Sequence, residues 1–300
     1  MQGILIVNKP KGMTSHDVVS FARRTFGMRR IGHTGTLDPD AEGVLPILLG
    51  NATKLSDLLT AEEKSYTARV RLGVATDTYD ISGKILESRT VNVSQTDVQA
   101  LLKDFIGEQL QIPPMYSAIK INGKKLYQLA RQGLEVERRA RNITINRLTA
   151  YNFAKDNTSF SLDIDCSKGT YIRTLCHDIG QRLGCGACME SLLRTRTGQF
   201  TLENAYTLEE IEQRMRANEI QTLLLSVDDV LTRFAKHTVS EENALKIRNG
   251  LRLRTEQIGL CAEPGAYVRL YDRTGLFCLA SVLRDGNGKN VIKIEKTFFS

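Results

Sequence analysis

The sequence predicts a mixed α/β fold that ends in a smaller β-rich module. Short apolar runs bounded by turn residues, such as Ile4 to Val7 before Lys9-Pro10-Lys11-Gly12, read as buried strands. Residues 64–72 alternate as a half-buried strand, with Tyr66, Ala68, Val70 and Leu72 on one face and Thr67, Arg69 and Arg71 on the other. Between such strands lie stretches of helical period with their own start and stop signals.

Taken in order, Ser15 is placed to cap a helix whose Val18, Val19, Ala22 and Phe26 share a face, and Gly27 ends it. Arg23, Arg24, Arg29 and Arg30 then cluster ahead of a glycine-rich stretch. Ile47-Leu48-Leu49 is too short to assign by period, and Ala52 to Thr60 suits a short helix. Ser94 opens another helix, with Val98, Leu101, Leu102, Phe105 and Ile106 turned to the core. Pro113-Pro114 begins a basic segment in which Asn122-Gly123 signals a hairpin turn and Leu126 to Gln132 a helix closed by Gly133. Ile143 to Phe153 and Ser159 to Asp165 alternate as strands. Thr170 to Leu183 is a helix ended by Gly184, with Arg173 in a first turn where the dipole favours an acid. Thr207-Leu-Glu-Glu210 is a capping box. From about His237 a short helix, Ser240 to Asn249, precedes strands near Tyr267, Phe277 and Val291, a density that suits a small β-barrel-like module.

Charge is unevenly distributed along the chain. The net charge is +7, but residues 111–147 hold eight Lys/Arg against two Glu, while residues 200–230 hold two Arg against seven acids. Segregated basic blocks suit a polyanionic partner. No apolar run approaches a membrane span and the start shows no signal peptide, so a cytoplasmic protein is expected. The six cysteines are then reduced thiols. Cys185-Gly-Ala-Cys188 has zinc or redox spacing, with Cys176-His177 near, but no second pair completes four ligands.

Gly32 to Pro46 reads Gly-His-Thr-Gly-Thr-Leu-Asp-Pro-Asp-Ala-Glu-Gly-Val-Leu-Pro. Gly32, Gly35, Gly43 and Pro39 fit a backbone held in turns and approached closely. Asp38 sits mid-loop, with Pro39 restricting its backbone. A carboxylate on a rigid loop is a catalytic candidate, although Asp before Pro is also ordinary turn chemistry. No Gly-Lys-Ser/Thr follows the glycines, which disfavours a nucleotide hydrolase.

This loop resembles the signature of the TruB family, the tRNA pseudouridine-55 synthases. Further stretches agree in the family's order: Gly3-Ile-Leu-Ile-Val-Asn-Lys-Pro-Lys-Gly-Met-Thr-Ser15, Lys64-Ser-Tyr66, Arg71-Leu-Gly-Val-Ala-Thr-Asp-Thr-Tyr-Asp80 and Ser167-Lys-Gly-Thr-Tyr-Ile-Arg173. Ile112-Pro-Pro-Met-Tyr-Ser-Ala-Ile-Lys120 and Gly123-Lys-Lys-Leu-Tyr127 resemble the family's RNA-gripping insertion. Ser191-Leu-Leu-Arg-Thr195 departs from the family's Leu-Arg-Arg-Thr element at Leu193, which puts one RNA or scaffold contact in question.

The resemblance implies an α/β fold of the α+β type, an antiparallel-rich mixed sheet of the pseudouridine synthase fold with flanking helices. Residues 1–235 would form the catalytic domain, with the insertion at about 111–147, and residues 236–300 a PUA-like RNA-binding domain. The implied reaction detaches uracil at N1 and rejoins it through C5, with no cofactor and no metal. Asp38 would be the catalytic carboxylate and Arg173 the guanidinium that keeps it ionised and aimed. Tyr66, a core aromatic on periodicity alone, would stack on uracil. His33 would prop the space left by the flipped base, with Asp80, Tyr171 and Leu192 as pocket neighbours. Lys9, Lys124, Lys125, Arg138 and Arg139 would complete the substrate contacts, and Arg23, Arg24, Arg29 and Arg30 would meet phosphate. The expected partner is the T-arm stem-loop of tRNA, bound by a monomer. A non-catalytic RNA-binding protein with the same basic clamp is the alternative, and the intact Asp38, Tyr66 and Arg173 set speaks against it.

Overall fold

A computed structural model describes residues 1–121 and 123–298. One large sheet organises the chain. Its strands run in the order Leu224–Leu225, Gly3–Lys9, Glu42–Leu49, Ala187–Thr197, Lys64–Leu72, Ser159–Cys166, Arg141–Tyr151 and Gly107–Gln111, with Ile31–His33 and Phe200–Thr201 as side branches. Among the described residues its pairings are antiparallel except where Ala187–Thr197 runs parallel to Glu42–Leu49. The sheet is therefore mixed and antiparallel-rich, as the sequence reading expected.

The two halves of the sheet are buried differently, and their sequences say why. Gly3–Lys9 is buried nearly throughout, and Ile4 to Val7 are all apolar because both faces are covered. Leu5 and Val7 pack against helix α1 (Ser15–Phe26), while Ile4 and Ile6 meet Leu279 and Phe298 from the C-terminal end of the chain. Lys64–Leu72 alternates instead. Tyr66, Ala68, Val70 and Leu72 join a core with helices α3 (Gln95–Leu102) and α5 (Ile172–Arg182). On the opposite face Thr67 bonds Asp163 and Arg69 bonds Ser159. The small helix α2 (Ser56–Thr60) continues a 3-10 segment, and α4 (Leu126–Ala130) directly follows the short strand Lys124–Lys125.

Some local expectations are corrected. Thr14, not Ser15, caps α1, in a reciprocal box with Asp17. Ser15 is instead drawn to the Asp38 loop, where its hydroxyl bonds both backbone groups of Leu37. Ile47-Leu48-Leu49 is the end of a full strand, Glu42–Leu49. A 3-10 turn at Lys103–Phe105 follows α3, burying Phe105 but leaving Ile106 49% exposed. Ala52 to Thr60 divides into a 3-10 segment, Gly50–Leu55, and α2. Asn122 of the expected hairpin turn lies outside the described residues.

Near the C-terminus, strands Ala235–Thr238, Tyr267–Asp272, Gly275–Arg284 and Asn290–Thr297 form a separate four-stranded sheet, a small β domain with its own apolar core. It also leans on the main body, where Lys54 donates to the Thr297 carbonyl. Among the described residues no helix is long and apolar enough to cross a membrane.

Candidate active site

The Asp38 loop is pinned at three consecutive alternate residues. Arg194 donates from Nη2 to the Gly35 carbonyl (2.9 Å), Ser15 bonds Leu37, and Lys9 donates to the Pro39 carbonyl (3.1 Å). Gly43 lies where the loop passes into its strand. Its φ is 105°, and a Cβ there would fall 2.2 Å from the Arg194 carbonyl oxygen, so only glycine allows the two backbones to meet. Asp38 is thus held between two of the three pins.

Across from it, Arg173 projects from the first turn of α5. Its Nε lies 2.9 Å from Asp38 Oδ2, and its Nη1 3.4 Å from Asp80 Oδ2. The remaining donors reach the carbonyls of Thr78 (3.1 Å) and Tyr116 (2.8 Å). The guanidinium does not grip Asp38 with two parallel bonds. It bridges two carboxylates and two carbonyls, which answers the sequence puzzle of a cation in a first helical turn. Asp80 is itself fixed by the hydroxyls of Thr78 and Ser82.

These groups meet in a cleft of about 660 Å³ whose lining includes Asp38, Tyr66, Tyr171, Arg173 and Leu192. Burial in the cleft pushes the Asp38 carboxyl above its usual range; Arg173 pulls it down and Asp80 adds to the rise. The side chain still keeps 45% of its surface open to the cleft. Burial drives the Tyr66 phenol up to about 12 against the pull of Arg194, so it stays protonated at neutral pH. Arg141 lies over the ring of Tyr171, 5.6 Å from its centroid.

Not every expected site residue is on the cleft. Asp80 stands behind Arg173. His33 is half-buried on Ile31–His33, off the cleft lining; its Nδ1 has no hydrogen-bond partner among the described residues, and burial lowers its pKa. Lys9 is fully buried and spends its ammonium on the carbonyls of Pro10, Met13 and Pro39, so it shapes the loop rather than touching substrate. Lys124 and Arg139 are exposed on the basic segment, and Lys125 lies over the Tyr127 ring. Arg138 is folded back onto the Pro113 carbonyl and Glu135, which takes it out of the exposed set. Of the arginines before the loop, Arg23 donates to Ile31 and Arg30 to Thr53 and Asn51.

Two cleft residues were missed. Arg194 is 1% exposed, bonds the carbonyls of Val44 and Gly35, and reaches the Tyr66 hydroxyl. Lys64 bonds the carbonyls of Thr60 and Glu62, and burial lowers its pKa to about 8. Strand period would have found both, since Lys64 is two residues from Tyr66 and Arg194 two from Leu192. Cys166, Cys176, Cys185 and Cys188 are buried free thiols, and the described residues contain no cluster suited to a metal.

Residues 23–172 match the family model for the TruB family pseudouridylate synthase N-terminal domain, and residues 173–232 that for the tRNA pseudouridylate synthase B C-terminal domain. The chain is 45% identical over 286 residues to a tRNA pseudouridine synthase B of Bacillus cytotoxicus, covering 93% of this chain and 92% of that protein. It is 45% identical over 301 residues to one of Alkaliphilus oremlandii, covering 100% and 99%. A chain from a Cbf5-Nop10-Gar1 complex superposes with a TM-score of 0.76 at 24% identity, covering 99% of this chain and 85% of that one. A chain from an H/ACA RNP bound to a substrate RNA gives 0.74 at 22%, with coverage of 99% and 85%. These two show a shared fold.

Proposed function

The chain belongs to the TruB family of pseudouridylate synthases, and from that premise we propose that it converts uridine 55 in the T-arm of tRNA to pseudouridine, as a cytoplasmic monomer. The single observation that carries the chemistry is Asp38, held on a pinned loop, ion-paired with Arg173 and facing the same cleft as Tyr66. Isomerisation breaks the bond between uracil N1 and the ribose, turns the base, joins C5 to the ribose and releases the C5 proton. Asp38 supplies the carboxylate that attacks the nucleoside or balances its developing charge. Arg173 keeps that carboxylate ionised and aimed. Tyr66 and Leu192 wall the base in so that free uracil does not escape.

The target base reaches this cleft only by leaving its stack, at a cost of a few kcal/mol. His33, beside the loop, occupies space that the base vacates. Tyr171 and Asp80 complete the pocket and its support. The insertion at about 111–147 grips the stem through Lys124, Lys125 and Arg139, where shape and phosphate contacts dominate recognition. We assign residues 1–235 to catalysis and 236–300 to a PUA-like RNA-binding domain. The test is release of tritium from tRNA carrying C5-tritiated uridine, since rejoining at C5 expels that hydrogen. Absence of release with correctly folded tRNA defeats the proposal.

A further inference from the structure

The strand Gly107–Gln111 is an edge of the main sheet, and its burial is inverted. Leu110 and Ile112 face solvent, 72% and 53% exposed, while the polar Gln111 between them is 3% exposed. An edge strand ordinarily turns its apolar residues inward. Gln111 is inside because both ends of its amide are used. Its Oε1 accepts from the backbone N–H of Tyr171 (2.8 Å), and its Nε2 donates to the carbonyl of the same residue (3.0 Å).

Tyr171 is the N-cap of α5, and no side chain of its own caps that helix. A helix that opens with an uncapped tyrosine and an arginine two residues later has little local reason to start there. Gln111 supplies the missing hold from another strand. The chain then passes through buried Pro113 and Pro114 to Tyr116, whose carbonyl accepts from Arg173 Nη2 at 2.8 Å. One short segment, 111–116, therefore holds the helix start at one end and Arg173 at the other. That segment is also the root of the basic insertion.

We propose that Gln111 is a positioning residue: its amide locks the start of α5, so that the root of the RNA-gripping insertion sets the aim of Arg173 on Asp38. The inference rests on the functional reading above. It makes engagement of RNA by the insertion and alignment of the ion pair parts of one mechanical unit.

The test compares the parent with Gln111→Met and Gln111→Glu in single-turnover tritium release at saturating tRNA, alongside equilibrium tRNA binding and thermal melts. Gln111→Met should lose about tenfold or more in rate, since small misplacements of catalytic groups are costly, with affinity within about threefold. Ionised Glu can accept from the Tyr171 N–H but opposes its carbonyl, whereas protonated Glu reproduces the amide pattern. A buried Glu protonates above its ordinary value of about 4.3, so the rate of Gln111→Glu relative to the parent should recover as pH falls toward about 5. Loss of fold alone would not give that recovery. Combining Gln111→Met with Arg173→Lys should cost less than the product of the two single losses, because both act through one alignment.

A Gln111→Met enzyme within about threefold of an active parent, by the same alignment argument, overturns the inference and leaves the functional reading standing. So does a Glu variant whose relative rate ignores pH. A parent that releases no tritium overturns the functional reading, and this inference with it. Should Gln111→Met fail to fold, the pH response of Gln111→Glu decides.

Discussion

Replacing Arg173 with Lys separates catalysis from binding. The guanidinium serves four acceptors, Asp38, Asp80, and the carbonyls of Thr78 and Tyr116, from a side chain only 6% exposed. An ammonium at the end of a shorter, unbranched chain cannot span all four, so the carboxylates are no longer held at one relative position. The charge survives, and with it part of the pull on the Asp38 carboxyl. What is lost is aim. A displacement of about 1 Å costs on the order of a hundredfold in rate, roughly 2.7 kcal/mol of barrier. Because Arg173 is buried away from solvent, tRNA affinity should change by less than about threefold, the scale of losing no phosphate contact. The assay is single-turnover tritium release beside equilibrium binding. Arg173→Met should go further, since removing the main group that lowers the Asp38 pKa moves the acid limb of its residual activity to higher pH than in the parent. A Lys variant with the parent's single-turnover rate would refute the reasoning.

The other expectations follow from the same contacts. Asp38→Asn should abolish tritium release with tRNA binding nearly intact; substantial turnover would remove Asp38 from the mechanism. The same variant should not lower the melting temperature at pH 7. The fold raises the Asp38 pKa, so ionisation opposes folding; that penalty sets in above the unfolded pKa, is complete above the folded one, and is absent in Asn. Changing Lys124, Lys125 and Arg139 to Glu should weaken tRNA binding and flatten its salt dependence by about one unit or less of log–log slope per lost contact. An unchanged slope would make the segment a solvated surface. Tyr66→Phe leaves buried Arg194 one partner short and should cost about 1–3 kcal/mol in denaturant unfolding, a loss that an unchanged midpoint and slope would contradict.

Much of the site was legible because its chemistry is local. Asp38, Tyr66 and Arg173 each sit in a short motif that carries the family resemblance, strand period fixed the face on which Tyr66 lies, and Leu192 entered through the resemblance alone. The strands of the half-buried sheet were readable for the same reason, whereas Ile47-Leu48-Leu49 was not, because three apolar residues after Pro46 are too few to show a period where both faces of a strand are covered. Ser15 is a good capping residue by type, but Thr14 one place earlier has the reciprocal Asp17, and the loop at Leu37 claims the Ser15 hydroxyl. The resemblance made Lys9 a substrate contact; in the fold its ammonium is spent on three backbone carbonyls instead. Gln111 was invisible, since its role exists only once residue 171 lies beside residue 111.

What the sequence could least convey is that the Asp38 loop is held by buried cations. Lys9 and Arg194 are among the largest fully buried side chains, and their hydrogen-bond acceptors are backbone carbonyls, with a tyrosine hydroxyl beside Arg194. Burying such charges without carboxylate partners is costly to the fold. The cost goes to holding Gly35 and Pro39 on either side of Asp38, and Lys9 also joins Arg173 in opposing the rise of the Asp38 pKa. A carboxylate in a dry cleft would otherwise take up a proton and be lost as a nucleophile. The buried cations thus fix the loop in space, and Lys9 together with Arg173 partly offsets the burial that makes its carboxylate harder to ionise.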